Sequence, residues 1–333
     1  MPAIQASRRR AESPRAAALR LATLVALLVS GLEGGSGSTI GPGGALYVTE
    51  AVAGRISRID LKTGEVTTFA TGLPKRVVGT GGAMDLVFVG GTAYVLVTLV
   101  GPDVGGSDVV GIYRVDGPDS LTVIADIGAF ALANPPDNEF FVPTGVQYVE
   151  TYRGGFLVTD GHHDRVLQVT RDGEIGVFMA FEHNVPTGLA VRGNTIYMAE
   201  AGPVPHLPEA GKVVSFGPKS SDVTEVASGA SLLVDVEFGR GRTLYALSQG
   251  DFSGGPAGAP ALPNTGALVQ VNGDGTFTAL IEPLDRPTSL EVIRNTAYVV
   301  TLTGEIWKIG TFMSALRRIP LNPRSAGRCG WCR

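Results

Sequence analysis

Residues 185–200, VPTGLAVRGNTIYMAE, contain a Pro-Thr-Gly run, a Gly-Asn turn and an apolar run that carries a tyrosine. The same order recurs in residues 142–160, VPTGVQYVETYRGGFLVTD, and in residues 286–301, RPTSLEVIRNTAYVVT. Gly and Asn tolerate the positive φ angles of tight hairpins, so each stretch predicts two antiparallel strands joined by a short turn. Repetition of one hairpin indicates a repeat protein rather than two unrelated domains.

Six such units can be aligned on the apolar run. Their anchor residues are Tyr47, Tyr94, Leu157, Tyr197, Tyr245 and Tyr298. The anchors are 47, 63, 40, 48 and 53 residues apart, and a period of roughly 40–50 residues rich in short β runs is typical of a β-propeller. Each unit continues with a third strand, a polar turn and a fourth strand. The chain is therefore predicted to be all-β, a six-bladed β-propeller with four-stranded antiparallel blades.

Closure of the ring divides the chain into three parts. Residues 1–20 form a basic N-terminal segment, residues 21–310 the single propeller, and residues 311–333 a basic irregular tail. The sixth unit has no clear fourth strand after Gly310, whereas residues 29–32, VSGL, repeat the ending of earlier fourth strands. This repetition favours ring closure by Leu24–Leu32, with Thr311–Leu316 as the competing closing strand.

The same N-terminal stretch has a second interpretation. Residues 21–32, LATLVALLVSGL, are uncharged and follow an Arg-rich start, which is the pattern of a secretory signal peptide. The stretch is too short to span a bilayer. A secreted or periplasmic protein is expected if the segment is a signal, and a cytoplasmic one if it is a closing strand and no other signal exists.

Charge excludes one class of partner. Ten of the 27 basic residues and one of the 31 acidic residues lie in the two ends, so residues 21–310 carry 17 basic and 30 acidic groups, a net charge of -13. Such a body should repel nucleic acid. Both cysteines, Cys329 and Cys332, lie in a Pro- and Gly-rich tail without a helix pattern, so we do not expect a redox CxxC motif there.

The alignment gathers two aspartates at the channel. The first strand of a propeller blade lines the central channel, and one position of that strand aligns across the six units. That position holds Gly37, Asp85, Gly145, Gly188, Asp235 and Ser289. Because units two and five are three blades apart, Asp85 and Asp235 should face each other. They are predicted to hold a divalent cation such as calcium, or else to accept hydrogen bonds from backbone amides at their own strands.

Further acids and all four histidines are predicted on the same face as the channel mouth. Second strands end in Glu50, Asp160 and Glu200, and the histidines lie in adjacent loops at His162, His163, His183 and His206. Histidine beside carboxylates can ligate a transition metal or act as a general base. Solvent-exposed loop histidines are the alternative, since no ligand spacing is recognisable. Long loops on this face in units two, four and five make it the expected ligand site.

The order and texture of the repeats resemble the ScyD/ScyE-like family, which is named for scytonemin-biosynthesis gene clusters. Residues 30–74, the runs VPTGVQYV, FLVTDGHHDRVLQVTRDGEI, VPTGLAV and VDVEF, and the loop at residues 250–271 carry the resemblance, which covers roughly residues 30–310. It implies a TolB-like or NHL-like six-bladed propeller that is exported. It implies no particular reaction.

Two functions follow as expectations. The first is an exported, non-catalytic scaffold that binds a small molecule or a protein on its loop-rich face, as a monomer without a transmembrane span. The alternative is a metal-dependent hydrolase or lactonase of the gluconolactonase-like propeller class, with Asp85 and Asp235 as metal ligands and Glu50, Asp160 or Glu200 as base. Whether the chain is an enzyme stays open, because no nucleophile elbow, P-loop, HExxH or Rossmann motif is present.

Overall fold

The computed structural model describes residues 24–136, 145–218, 222–255 and 258–310. These residues form six antiparallel sheets of four strands each, and the predicted six-bladed propeller is confirmed. From the inner strand outward, the first three blades are β2 (Gly35–Ile40), β3 (Leu46–Glu50), β4 (Arg55–Ile59) and β5 (Val66–Thr71); β6 (Gly82–Val89), β7 (Thr92–Thr98), β8 (Gly111–Gly117) and β9 (Ser120–Asp126); and β10 (Val146–Tyr152), β11 (Gly155–Asp160), β12 (Arg165–Val169) and β13 (Ile175–Ala180).

The last three blades follow the same order. They are β14 (Pro186–Arg192), β15 (Thr195–Glu200), β16 (Lys212–Phe216) and β17 (Thr224–Ser228); β18 (Leu233–Phe238), β19 (Leu244–Ser248), β20 (Gly266–Val271) and β21 (Phe277–Leu284); and β22 (Pro287–Ile293), β23 (Thr296–Thr301), β24 (Ile306–Gly310) and β1 (Leu24–Val29). One short helix, α1 (Ile127–Ala133), connects blades 2 and 3, and the Asp126 carboxylate caps it by accepting from the Ala129 amide at 2.8 Å. The sequence pattern did not predict this helix.

The inner strands form the ring. β2, β6, β10, β14, β18 and β22 each contact the inner strands of the two neighbouring blades, and β22 contacts β2. A blade is too thin to bury both of its faces alone, so apolar side chains are buried between adjacent blades. The repeated tyrosines do this directly: Tyr47 packs edge-on against Phe88 of blade 2, and Tyr197 against Phe238 of blade 5, with ring centroids 4.7 and 5.0 Å apart.

Ring closure uses the N-terminal stretch. β1 pairs antiparallel with β24, from Leu24 opposite Gly310 to Val29 opposite Ile306. This is the closure that the repeated VSGL ending predicted. The competing closer at residues 311–316 lies outside the described residues, as do the basic ends and the cysteine pair. No helix within the described ranges has the length and apolar character needed to span a membrane.

Candidate functional site

The propeller has two faces, which differ in their loops. We call the face where the inner strands begin and the second strands end the upper face; there, Gly35 pairs with Glu50 and Pro186 pairs with Glu200. The opposite, lower face carries the short turns between first and second strands. The long loops predicted for ligand binding, residues 99–110, 201–211 and 249–265, are all on the upper face.

Asp85 and Asp235 lie in opposite blades and line one central channel. Both are buried, and each joins two inner strands. Asp85 accepts from its neighbour's amide, Leu86, at 2.9 Å, and from the Val149 amide of blade 3 at 2.9 Å. Each carboxylate oxygen therefore has a backbone donor, as in the amide-capping role that the sequence left open, and one of the two donors belongs to the next blade.

Asp235 repeats this arrangement half a turn around the ring. It accepts from the Val236 amide at 2.8 Å and from the Leu290 amide of blade 6 at 2.7 Å. The blade before each aspartate supplies a glycine, because a Cβ at Gly37 would stand 2.1 Å from Asp85 Oδ1 and one at Gly188 2.5 Å from Asp235 Oδ1. The channel thus has an approximate two-fold pattern in which a glycine, an aspartate and a backbone donor follow one another in three blades.

The structure shows that Tyr148, rather than Gly145, occupies the channel position of blade 3. Val146 pairs with Asp160, whereas the equivalent partner of Glu200 in blade 4 is Pro186. The prediction that Gly145 aligns with Gly188 was therefore wrong by three residues, and Tyr148 occupies the channel position. Its hydroxyl donates to the Thr288 carbonyl of blade 6 at 2.9 Å, so the side chain crosses the channel. Burial, with the charges of Asp235 and Asp85, raises its pKa well above the usual value.

Replacing Tyr148 by Phe should remove the cross-channel hydrogen bond and leave the Thr288 carbonyl without this donor. We expect the free energy of unfolding to fall by about 1 kcal/mol, the usual net value of one such bond. Urea unfolding measures it, and Tyr47→Phe, which removes a half-buried hydroxyl from a surface turn, is the control that should change less. Equal stability of the wild type and the Tyr148→Phe variant would contradict the bridging role.

Below the Tyr148 side chain, toward the lower face, the channel is acidic. Glu150, Glu237 and Glu291 line the cavity together with the two aspartates. Burial, followed by the surrounding negative charges, raises the pKa of Glu237 and Glu291 well above the ordinary value. Burial also raises the pKa of Asp235 to about 7. The raised pKa values favour the protonated forms, which lessens the mutual repulsion of these carboxyl groups.

The donor set does not fit the predicted divalent cation well. All four oxygens of Asp85 and Asp235 accept backbone hydrogen bonds, and the Tyr148 side chain crosses the same channel. Among the described residues, no group of three or more His, Cys, Asp or Glu has the arrangement of a metal site. We derive no chemistry through a metal, and the cation remains a prediction.

Glu50 is neutralised within its own blade. It is fully buried at the end of β3, and its carboxylate accepts from Arg55 at 2.8 and 2.9 Å, from the Ser57 hydroxyl at 2.5 Å and from the Glu33 amide at 2.6 Å. Burial raises its pKa, but the hydrogen bonds from Arg55, Glu33 and Ser57 outweigh it and lower the pKa below the ordinary value. A carboxylate held in this way is suited to fixing a loop rather than to taking a proton.

Asp160 and His163 form a second buried network in blade 3. Asp160 Oδ2 accepts from His163 Nδ1 and from Arg165 Nε, both at 2.8 Å. Arg165 also donates to the Asn134 carbonyl at 2.8 Å, just beyond α1. The network therefore connects the end of β11 with the connection between blades 2 and 3.

The other three histidines lie apart from one another. His162 packs against the backbone of Gly145, and Gly258 of the blade 5 loop approaches it; burial lowers its pKa. His206 is buried, donates from Nδ1 to the Gly202 carbonyl at 2.7 Å and stacks edge-on with Phe252. The His183 side chain is 82% exposed. Of the four histidines, His183 alone is the solvent-exposed loop residue that the alternative interpretation predicted.

Glu200 is a rim acid whose pKa is raised. It is buried at the end of β15, and burial raises its pKa to about 7, although Lys212 and a 3.4 Å hydrogen bond from Asn184 oppose the shift. The three rim acids thus remain in separate blades with separate partners. The upper face does not bring them together into one catalytic set within the described part of the chain.

The sequence analysis missed the glutamates of the channel. They lie two positions after Tyr148, Asp235 and Ser289 on the same strands, at Glu150, Glu237 and Glu291. Side chains two apart on a strand share a face, so the signal was present in the runs YVE, DVE and SLE. Glu237 and Glu291 could have been found from the aligned positions Asp235 and Ser289, whereas Glu150 required the correct register of blade 3.

The fold and channel define a six-bladed β-propeller, and comparisons with known proteins agree at that level. No protein-family model and no curated protein matches the sequence. Among solved structures, the chain is similar to the gluconolactonase XC5397 from Xanthomonas campestris (TM-score 0.59, 13% identity, covering 86% of this chain and 89% of that one).

Two further similar structures belong to other activities. A virginiamycin B lyase from Staphylococcus aureus gives a TM-score of 0.52 at 14% identity, over 87% of this chain and 99% of that one. A PQQ-bound aldose sugar dehydrogenase from Streptomyces coelicolor gives 0.57 at 15% identity, over 87% and 98%. At such identities the likeness establishes the fold and assigns no activity.

Proposed function

We propose that this chain is an exported propeller of the ScyD/ScyE type that binds a ligand or protein partner on its upper face through apolar side chains. The observation that carries the proposal is the distribution of exposed large apolar residues. Seven lie on upper-face loops and connections of five blades: Val52, Val77, Val78, Leu132, Val204, Leu207 and Leu262. The other described ones lie on or directly beside the outermost strands.

This distribution favours binding for a physical reason. Scattered exposed apolar residues are ordinary on protein surfaces, but a set concentrated on one face marks an interaction surface. Leu132 on α1 is 62% exposed, which costs hydration free energy that an apolar partner would recover. Beneath these loops, the buried Glu50 and Asp160 networks hold the loop bases in place, as a rigid binding surface requires.

An apolar fluorescent probe, anilinonaphthalene sulfonate, tests the surface. The variant Leu132→Ser/Leu207→Ser/Leu262→Ser should lose most of the probe fluorescence that the wild-type protein gives. The matched control, Val66→Ser/Val123→Ser/Val177→Ser, removes three similarly exposed residues from outer strands and should keep it. Equal losses in the two variants would contradict an apolar binding face.

Export is tested separately by fractionating source cells and sequencing the N-terminus of the protein recovered. Protein in the medium or periplasm supports the proposal. An N-terminus that begins before Leu24 is compatible with β1 as the closing strand of the exported protein, whereas cleavage after Leu32 would require another strand to close the ring. Recovery of all the protein from the cytoplasm with its N-terminus intact would contradict export.

One observation favours the alternative function, a lactonase-type hydrolase. A buried carboxyl with a pKa of about 7, Glu200, is suited to general acid–base catalysis at neutral pH. A screen for lactone and ester hydrolysis, with the Glu200→Gln variant as the control, tests this alternative. Hydrolysis that the variant loses would replace the binding proposal, and equal rates in both proteins would remove the alternative.

Elemental analysis of the wild type and of the Asp85→Ala/Asp235→Ala variant tests the cation. We expect less than one calcium, magnesium, manganese or zinc ion per chain in both proteins, because backbone amides already occupy the carboxylate oxygens. About one ion per chain, lost in the variant, would restore the metal-dependent alternative.

A further inference from the structure

The lower mouth of the channel carries an uncompensated basic patch. The turns between first and second strands surround this mouth, because they follow the lower ends of the six inner strands. In blades 3 to 6 these turns contain arginines, which are Arg153, Arg192, Arg240, Arg242 and Arg294. We call this set the arginine crescent. The same turns contain no Asp or Glu.

The five arginines are exposed and contiguous. Each is classed as exposed to solvent, and contacts join the turns of successive blades. Arg153 donates to the Asn194 side chain of blade 4 at 3.2 Å, Arg192 lies over the Phe238 ring of blade 5 at 5.0 Å, and the Arg240 amide donates to the Arg294 carbonyl of blade 6 at 3.2 Å. The crescent therefore spans four blades without interruption.

Nothing in the described structure neutralises the crescent. None of its guanidinium groups forms an ion pair with a described residue. The outer turns of the lower face also carry acids, and the carboxylates of Asp60, Asp116 and Asp274 accept hydrogen bonds from their own strands or turns rather than from the crescent. Burial raises the pKa of Glu237 and Glu291, which lowers the negative charge that they oppose to the crescent.

The chain continues from the same face at both ends of the described range. Leu24 pairs with Gly310 at the lower end of blade 6. The two segments beyond these residues carry ten arginines and one glutamate. The crescent and the two points where the Arg-rich ends leave the described range therefore lie on the same side of a body whose net charge is -13.

We propose that the lower face is a docking surface for an anionic lipid bilayer, with the arginine crescent as its contact. Guanidinium groups bind phosphate in a bidentate manner and are weakly hydrated, which suits them to phospholipid headgroups. A ring of turns at the end of a propeller is broad enough to touch several headgroups at once. This orientation points the upper face away from the membrane, where a partner can reach it.

Co-sedimentation with vesicles tests the proposal on the full chain. Vesicles of phosphatidylglycerol and phosphatidylcholine in equal parts should bind the protein in low salt and release it in high salt, and vesicles of phosphatidylcholine alone should not bind it. The test variant is Arg153→Asn/Arg242→Asn/Arg294→Asn. These residues have φ angles of 48°, 80° and 60°, and Asn tolerates this region.

The expected loss of vesicle affinity is roughly fivefold for each arginine, or about a hundredfold for the triple variant. The control, Lys75→Asn/Arg76→Asn/Lys212→Asn, removes the same charge from the upper face and should lose far less. Thermal melts establish that both variants are folded. Equal losses in the two variants, no binding to the anionic vesicles, or crescent-dependent binding to DNA and not to vesicles would each overturn the proposal.

Discussion

Replacing Asp235 by Ala will destabilise the propeller by about 3 kcal/mol, and Asp85→Ala will do the same. Each substitution leaves two buried backbone amides without an acceptor, Val236 and Leu290 in the first case, and each buried unsatisfied donor costs roughly 1–3 kcal/mol. One of the two amides belongs to the next blade, so the inner strands of two blades lose their link. Chemical unfolding measures the loss.

The control is Asp119→Ala, at an exposed turn on the lower face, which should change stability by less than about 0.5 kcal/mol. If the Asp85 and Asp235 variants unfold at the same denaturant concentration as the wild type, the aspartates do not hold the blades together. Loss of a bound metal together with stability would instead assign them to a cation site.

Ionisation of the channel glutamates should lower stability as the pH rises above about 5. Glu237 and Glu291 have pKa values raised well above 4.5 in the folded protein by burial first and by neighbouring carboxylates second. Between the unfolded and the folded pKa, the folded state binds more protons than the unfolded chain. The free energy of unfolding therefore decreases through this range, by up to about 1.4 kcal/mol per pH unit for each such group.

The groups around the glutamate pair act in the same direction or do not oppose it. Asp85, Glu150 and Asp235 have raised pKa values, the last about 7, and Tyr148 is neutral. No described Lys, Arg or His lines the cavity. Glu50 has a lowered pKa, so its contribution to stability increases with pH. This contribution is fully present by about pH 5, and it does not change between about pH 5 and about pH 9.

The double variant Glu237→Gln/Glu291→Gln should flatten this pH dependence and gain about 2 kcal/mol over the wild type at pH 9. Melting temperatures across the pH range measure it. The matched control, Glu65→Gln/Glu174→Gln, changes two exposed glutamates and should keep the wild-type slope. The same slope in both variants would contradict the prediction, and recovery of the wild type at pH 9 by added calcium would support a cation in the channel.

Much of the fold could be predicted from the sequence because its signals are local. Turn residues, alternation and the spacing of six similar hairpins determine strands of one length and one order, and closure by Leu24–Val29 followed from a repeated strand ending. The placement of Asp85 and Asp235 in opposite blades also followed, because their units are three apart in a ring of six.

The site depended on tertiary structure, for reasons visible at single residues. A shift of three residues in blade 3 put Tyr148 rather than Gly145 in the channel, and register depends on packing between blades that a repeat alignment does not contain. The partners of Asp85 and Asp235 are amides of the next blade, which the order of residues does not reveal. The arginine crescent likewise became a patch only when four turns, distant in sequence, met at one mouth.

The sequence by itself thus determined the six blades and their order, favoured the closing strand, and placed Asp85 and Asp235 on opposite inner strands. Tertiary structure alone decided which groups neutralise those acids and which faces remain apolar or basic. The physical reason is range: strand and turn preferences act over a few residues, whereas desolvation, pKa and hydrogen-bond satisfaction depend on atoms brought together from blades far apart in the chain.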